Sequence, residues 1–183
     1  MWQEISRFGK KLVDAGLVGS YFGNISIRAG SKIMITRHNV PLDKITENGV
    51  VEVELESSSK IDSTASSETI VHRKIYQMTP ALAIIHAHAP FAVIQSLVES
   101  ADHIIPVDIA GQQVLHEIPV VHGGIGSPEL AVNAGTALKD HRGIIIHGHG
   151  SFAVGETLEE AFAITTQIEY SCNIRYYVGL AGK

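Results

Sequence analysis

The chain has 183 residues, of which 45% are hydrophobic and 18% charged, and its formal net charge is −5. This length and balance predict one globular domain over residues 1–183. The 14 Lys and Arg residues are scattered, which argues against nucleic acid and membrane surfaces as partners. No secretory leader opens the sequence, no apolar run reaches the roughly 18–20 residues that span a bilayer, and Cys172 is the single cysteine. We therefore expect a cytoplasmic protein.

In the first half of the chain, hydrophobic periodicity predicts two helices and three strands. Residues 2–16 carry apolar side chains at helical spacing and predict an amphipathic helix. Residues 24–28 and 32–36 alternate around a glycine-containing turn, as in a β-hairpin. Residues 50–55 alternate valine with glutamate, the pattern of a half-exposed strand, and residues 66–78 predict a second helix.

In the second half, two buried strands alternate with three predicted helices. The strands are apolar runs at residues 81–85 and 144–147. The helices are predicted at residues 90–99, 127–139 and 157–178 from proline at the first turn, a serine cap and a capping box. Because helices and strands mix without strict βαβ order, we predict an α/β fold with a mostly antiparallel sheet covered by helices.

Two histidines follow the predicted strand at residues 81–85 and give the strongest chemical signal. His86 and His88 are two residues apart, so on a strand they face the same side. Burying two imidazoles without partners costs free energy, and one zinc or similar divalent ion satisfies both. His149, between two glycines after the next apolar strand, offers a third imidazole. His147 has the same spacing from His149, and we assign it a supporting or structural role.

Two short polar segments predict anion-binding or capping roles. Ser66, Ser67 and Glu68 begin the predicted second helix, where the helix dipole and free amides stabilise anions. Taken alone, such a segment is more often plain helix capping, but beside a metal it would place a phosphate next to a base. Gly23 and Asn24 form a small polar turn that either approaches an oxyanion closely or is an ordinary turn.

Taken in order, the motifs of this chain resemble those of the class II aldolase/adducin family. The resemblance rests on Gly-Asn-Ile-Ser at 23–26, Ile-Thr-x-x-x-x-Pro at 35–41, Ser-Ser-Glu at 66–68, His-x-His at 86–88 and His-Gly at 149–150. It covers nearly the whole chain. It implies a three-layer α/β/α sandwich around a mostly antiparallel sheet, and a homotetramer with active sites between neighbouring subunits.

The resemblance also implies a metal centre and its base. The zinc ligands of the family fall here on His86, His88 and His149. Glu68 falls on the acidic residue that binds or faces the metal and acts as the base. The same ligands accept Mn²⁺, Co²⁺ or Fe²⁺, so the native metal stays open.

The substrate-binding and acid positions that the resemblance implies depart from the family in two places. The implied phosphate-binding residues are Gly23, Asn24, Ser66 and Ser67. His38 and Asn39 stand where the fuculose-phosphate enzymes have Thr-Gly; either can donate to a phosphate, in a pocket of different shape. Asp108 stands where those enzymes use a tyrosine from the neighbouring subunit, and we expect it to be the acid/base that protonates the leaving alkoxide.

These residues lead to one function and several alternatives. The resemblance implies a zinc-dependent aldolase that cleaves a phosphorylated ketose such as L-fuculose 1-phosphate to dihydroxyacetone phosphate and an aldehyde. The same metal site also serves sugar-phosphate 4-epimerisation, dehydration or decarboxylation, which sequence distinguishes poorly. A non-enzymatic scaffold of the adducin kind needs no ligands, so the three histidines and Glu68 argue against it.

Overall fold

The computed structural model describes residues 1–182, in which six helices and eight strands occur. In chain order they are α1 (Trp2–Asp14), β1 (Asn24–Ala29), β2 (Lys32–Thr36), β3 (Val50–Glu54), α2 (Thr69–Met78), β4 (Ala83–Ala87), α3 (Pro90–Val98), β5 (His103–Ile104), α4 (Ile109–Val114), β6 (Ile118–Val121), α5 (Pro128–Ala137), β7 (Gly143–Ile146), β8 (Gly150–Gly155) and α6 (Leu158–Ala181). Short 3₁₀ helices lie at Leu42–Lys44, Glu47–Gly49 and Lys60–Thr64. None of the described helices is long and apolar enough to cross a bilayer.

All eight strands form one sheet in the order β3-β2-β1-β4-β8-β7-β6-β5. Every neighbouring pair is antiparallel except β6 and β7, which run parallel. The prediction of a mostly antiparallel sheet is therefore confirmed. β4 lies inside the sheet between β1 and β8, and all five of its residues are buried.

Two hydrophobic clusters, one on each face of the sheet, make the molecule a three-layer sandwich. Successive residues of β4 point to opposite faces, so Ile84 joins the cluster under α2 and α5 while Ile85 joins the cluster under α1 and α6. Phe8 on α1 and Ile168 on α6 belong to the second cluster, and Ile75 on α2 to the first. The predicted α/β/α layering is confirmed.

Several element boundaries differ from the sequence predictions. α2 begins at Thr69 rather than at residue 66, because the backbone N–H of Ser66 donates to Thr36 O at the end of β2. α1 ends at Asp14, and Gly16 turns the chain with a φ of +70°. The sequence analysis also did not predict β5, β6, β8 or the short α4.

The central strands fix the position of the chemical residues at one end of the sheet. Asn24 at the start of β1 is directly opposite His86 near the end of β4. On the other side of β4, Ala87 is opposite Ser151 on β8. The turn from β7 to β8, residues 147–149, lies at this same end. Three strands therefore bring distant sequence segments together.

Candidate metal centre

Three imidazoles converge at the end of β4. One ring nitrogen of each of His86, His88 and His149 lies within 4.8 Å of the others. Nε2 of His86 and Nε2 of His88 are 3.1 Å apart. His86 is fully buried, whereas His88 and His149 are partly exposed. A backbone N–H···O bond from Gly148 to the Ser96 hydroxyl on α3, 2.9 Å long, holds the turn that carries His149.

The hydrogen bonds of His86 leave a lone pair at the centre of this group. Its Nδ1 lies 3.0 Å from the carbonyl oxygen of Ser151, which only accepts, so Nδ1 carries the proton. Nε2 of the neutral ring is then an acceptor, and it faces Glu68 Oε2 at 3.0 Å. Burial lowers the pKa of His86 to about 3, and the electrostatic influence of the neighbouring His149 adds to this effect. The contact is therefore between two acceptors and not an ion pair.

His88 is also held neutral. Burial is the main cause, and the neighbouring His86 and His149 add to it, so that the pKa of His88 is lowered to about 3. The ring packs against Phe22, with centroids 5.5 Å apart. Neutral imidazoles are the form that binds a metal ion.

Glu68 brings a carboxylate to the same point from the start of α2. The sequence analysis placed it inside the first helical turn, which is wrong because α2 begins only at Thr69: Glu68 occupies the N-cap position, and its side chain makes no capping hydrogen bond. It turns instead towards the sheet, where Oε2 accepts from Asn24 Nδ2 at 3.0 Å. Burial raises the pKa of Glu68, opposed by the Asn24 hydrogen bond and by the electrostatic influence of the neighbouring His149 and His88 rings.

The unpaired atoms of this group match the requirements of a divalent ion. Within residues 1–182, Glu68 Oε1 and His149 Nδ1 are buried and have no hydrogen-bond partner. Such atoms cost free energy unless a proton or a cation satisfies them. Three nitrogen donors and one carboxylate within a few ångströms form a donor set typical of zinc and related metals. The residues therefore fit a metal ion.

All six residues predicted for substrate or phosphate binding line one cavity of about 310 Å³ in front of the imidazoles. The predicted residues on its wall are Gly23, Asn24, His38, Asn39, Ser66, Ser67, Glu68, His88 and His149. Ser67 is exposed, whereas Ser66 is nearly buried and its hydroxyl accepts from the backbone N–H of Glu68 at 3.3 Å. Asn39 adopts a left-handed conformation with a φ of +58°.

Two predicted residues lie elsewhere in the fold. Asp108, within the described residues, is not on the cavity wall; it caps α4, and its Oδ1 accepts from Gly111 N at 2.6 Å and from Gln167 Nε2 at 3.2 Å. His147 is exposed and stacks on His122, with ring centroids 4.7 Å apart. His147 thus lies outside the group of three imidazoles.

The cavity wall also contains residues that the sequence analysis missed. Arg37 follows β2 directly and brings a guanidinium to the wall, with its Nε donating to Val50 O at 3.2 Å. Tyr21, Phe22 and Ile125 form an apolar rim, each more than half exposed. Arg37 was detectable as the basic residue inside the 35–41 motif, whereas Ile125 lies in the glycine-rich loop at residues 122–127, a pattern that can bind an anion but is more often a flexible connection.

Comparison with known proteins agrees with this geometry. The family model described as "Class II Aldolase and Adducin N-terminal domain" matches residues 3–176. The chain belongs to this family. The resemblance drawn from the motifs is confirmed, and so are the predicted fold and the class of enzyme, a metal-dependent class II aldolase-type lyase.

Individual members of the class II aldolase family cover almost all of the chain. L-fuculose phosphate aldolase of Methanococcus maripaludis is 30% identical over 169 residues, covering 91% of each chain. Methylthioribulose-1-phosphate dehydratase of Gluconobacter oxydans is 29% identical over 185 residues, covering 92% of this chain and 87% of its own. The crystal structure of L-fuculose-1-phosphate aldolase from Thermus thermophilus is 33% identical, with a TM-score of 0.93 over 99% of this chain and 95% of that one.

Proposed function

We propose that this chain is a zinc-dependent lyase that cleaves a phosphorylated ketose, such as L-fuculose 1-phosphate, into dihydroxyacetone phosphate and an aldehyde. The observation that carries this proposal is one cavity whose wall holds imidazoles, a buried carboxylate and two serines together. Relatives with aldolase names support the reaction type. When bound, the ion would act as a Lewis acid towards the oxygens of the substrate. His86, His88 and His149 would hold it, with Glu68 beside them.

Glu68 is the proposed base. Its carboxylate is buried at the cavity wall, and burial raises its pKa, so it is a stronger base than an exposed glutamate. In the cleavage direction the proton goes to the carbon of the departing ketone. In the synthetic direction Glu68 takes that proton back, from carbon to a carboxylate oxygen.

The phosphate would occupy the part of the cavity away from the imidazoles. Ser66 and Ser67 bring hydroxyls to this wall, and Arg37 and His38 bring nitrogen donors. A guanidinium suits a phosphate because its fork of N–H groups matches two oxygens at once. Gly23, with a φ of +74°, also lines the cavity, and its lack of a side chain permits close approach to its backbone.

The acid/base for the aldehyde oxygen is proposed to come from a second subunit: in cleavage it takes the proton of the hydroxyl that becomes the aldehyde, and in synthesis it returns that proton to the alkoxide. Asp108 lies at the start of α4, away from the cavity of its own chain, so it would act at the cavity of a neighbour. The exposed apolar side chains of Val107 and Ile109 on either side of it support burial against another subunit. We propose a homotetramer of one-domain chains in the cytoplasm.

Dehydration of a phosphorylated ketose is the second candidate. The apolar rim of Tyr21, Phe22 and Ile125 suits a substrate that ends in an apolar group rather than a hydroxyl. A dehydratase named for methylthioribulose 1-phosphate is among the relatives. Analysis of the products would distinguish loss of water from carbon–carbon cleavage. Epimerisation and decarboxylation remain predictions of the sequence analysis.

Hydrogen exchange tests the proposed aldolase directly. Zinc-loaded protein is incubated with dihydroxyacetone phosphate in heavy water, and loss of the carbon-bound proton is followed by NMR. We expect exchange in the wild type, and Glu68→Gln to slow it by about 10²–10⁴-fold because the base is removed. Zinc content is measured in both proteins as the control.

Two results would contradict parts of this proposal. Near-normal exchange in Glu68→Gln with zinc bound would exclude Glu68 as the base. No exchange in the zinc-loaded wild type would exclude an aldolase acting on this ketone and would favour the dehydratase.

A further inference from the structure

A chain of five buried side chains runs from the proposed base into the core. Glu68, His72 and Tyr76 are four residues apart along α2, so they share the face that packs on the sheet. Asn24 and Ser26 alternate along β1 and point to the same side. All five side chains are at least nine-tenths buried. The spacing of four residues on the helix and of two residues on the strand therefore places the five side chains in one continuous line.

Each contact in this line is a hydrogen bond. Asn24 Nδ2 lies 3.0 Å from Glu68 Oε2, and the Asn24 carbonyl oxygen contacts Nε2 of His72. Nδ1 of His72 lies 2.7 Å from the Ser26 hydroxyl, which in turn lies 2.8 Å from the Tyr76 hydroxyl. No water is needed to connect one end to the other.

The acceptor at one end fixes the direction of every bond. A carboxylate oxygen of Glu68 can only accept, so Asn24 turns its NH₂ towards it. The amide oxygen of Asn24 then faces His72, whose Nε2 must donate. Burial lowers the pKa of His72 to about 3, so the ring is neutral and its Nδ1 accepts from Ser26. Ser26 accepts from Tyr76, whose pKa burial raises, so that the phenol keeps its proton.

We propose that His72 is a positioning residue, which fixes the amide of Asn24 so that its N–H groups face Glu68 and hold that carboxylate at the metal centre. This inference rests on the proposed function, because it gives Glu68 its catalytic role. Without the Nε2 donor, the Asn24 amide is free to turn over and place its oxygen against the carboxylate. His72 itself touches neither substrate nor metal ligand nitrogen in this arrangement; it acts through Asn24.

The first part of the test is the tautomer of His72 itself. In the wild-type protein loaded with zinc, a long-range ¹H–¹⁵N correlation spectrum reports which ring nitrogen carries the proton. We expect the Nε2–H form. The Nδ1–H form would overturn the inference, since the Asn24 amide would then have to donate to His72 and not to Glu68. This measurement does not depend on any reaction.

The second part compares three variants in the exchange assay. His72→Leu removes both ring nitrogens at similar volume and is expected to lower the exchange rate at saturating ketone by about 10–100-fold, with KM and zinc content unchanged. His72→Gln restores an N–H donor and should recover most of the rate. Tyr76→Phe is the matched control: it removes the far end of the chain but leaves the contact between His72 and Asn24.

The pattern across the variants decides the inference. A rate loss in His72→Leu that is absent in Tyr76→Phe supports it, as does rescue by His72→Gln. Equal rates in His72→Leu and Tyr76→Phe, or zinc loss that accounts for the rate loss, would overturn it. If His72→Leu does not fold, the inference is judged from two other results. These are the tautomer of His72 in the wild type and the exchange rate of His72→Gln relative to that of Tyr76→Phe. If the wild type shows no exchange, the proposed function fails, and the tautomer alone judges the role of His72.

Discussion

His88 provides the most direct test of the metal centre at the scale of single residues. Its ring is partly exposed and follows the last residue of β4, so His88→Ala should fold normally. We expect this change to weaken zinc binding by more than the about 10–100-fold that loss of a supporting hydrogen bond costs. Zinc content after dialysis measures it, with His122→Ala as an exposed histidine control. Stoichiometric zinc in His88→Ala would refute its assignment as a ligand.

His72 should make the metal-free protein sensitive to acid. Its pKa falls from an ordinary 6.5 to about 3 in the folded state because the ring is buried. Between these values only the unfolded chain binds the proton, so the stabilisation is complete above about pH 6.5 and is lost as the pH falls towards 3. His72 contributes up to about 1.4 kcal/mol per pH unit to this slope.

Urea unfolding of the metal-free protein at several pH values measures this contribution. His72→Gln cannot titrate, so its free energy of unfolding should fall less steeply with decreasing pH than that of the wild type. His86 and His88 titrate in the same direction and remain in both proteins, which makes the difference specific to His72. Identical slopes would show that His72 does not stay neutral on folding.

The sequence indicated that His86, His88 and His149 would converge, as they do in the structure, but it did not indicate their hydrogen-bond partners. His86 and His88 were recognisable because strand spacing alone puts them on one side. The bond between Asn24 and Glu68 joins residues 44 positions apart, and no local pattern encodes it. Arg37 was overlooked because a single basic residue after a strand is usually a solvated charge. Local periodicity thus predicts the direction in which a side chain points, whereas its hydrogen-bond partners depend on the order of the strands in the sheet.

At the scale of elements, two turn glycines allow the stability cost of backbone strain to be distinguished from the cost of a steric clash. Gly23 precedes β1 with a φ of +74°, and a Cβ there would lie 2.5 Å from the backbone oxygen of His86. Gly30 in the β1–β2 turn has a φ of +64° but nothing within 4 Å of its Cβ position. Both alanine substitutions carry the left-handed penalty of about 1–2 kcal/mol. Gly23→Ala adds overpacking of about 1–3 kcal/mol.

Chemical denaturation and the exchange assay check this comparison. Gly23→Ala should be less stable than Gly30→Ala and should also lose exchange activity, since the clash displaces His86 at the metal centre. Gly30→Ala should keep full activity. Equal stabilities of the two variants would mean that small backbone shifts relieve the clash with the His86 oxygen at little cost in free energy.

The elements that the sequence analysis missed share a physical cause. β8 begins and ends with glycine and is buried on both faces, so it shows no alternation of polar and apolar residues. It pairs with β4 along five residues and is central to the sheet. α2 loses its predicted first turn because Ser66 continues a bridge to β2. In both places long-range pairing overrides the local preference.

At the scale of the whole molecule, mixing two inactive variants tests whether sites are shared between subunits. Glu68→Gln lacks the proposed base and Asp108→Asn the proposed acid. If Asp108 acts at a neighbour's cavity, coexpressed subunits should regain about one quarter of the wild-type activity in cleaving the ketose phosphate, because random pairing forms that share of intact sites. Light scattering gives the oligomeric state, with four subunits expected. If a mixed oligomer forms but regains no activity, either both residues act in the site of one chain or Asp108 is not the acid.

The hydrogen bond from Gly148 to Ser96 links the turn that carries the third imidazole to the buried side of α3. Leu97 and Val98, the next residues of that helix, are 61% and 67% exposed. A shift of α3 by a fraction of an ångström is therefore transmitted to the turn that carries His149. Whatever packs on this helix and whatever ion the histidines hold would then be reciprocally linked, each changing the affinity of the other by the same factor.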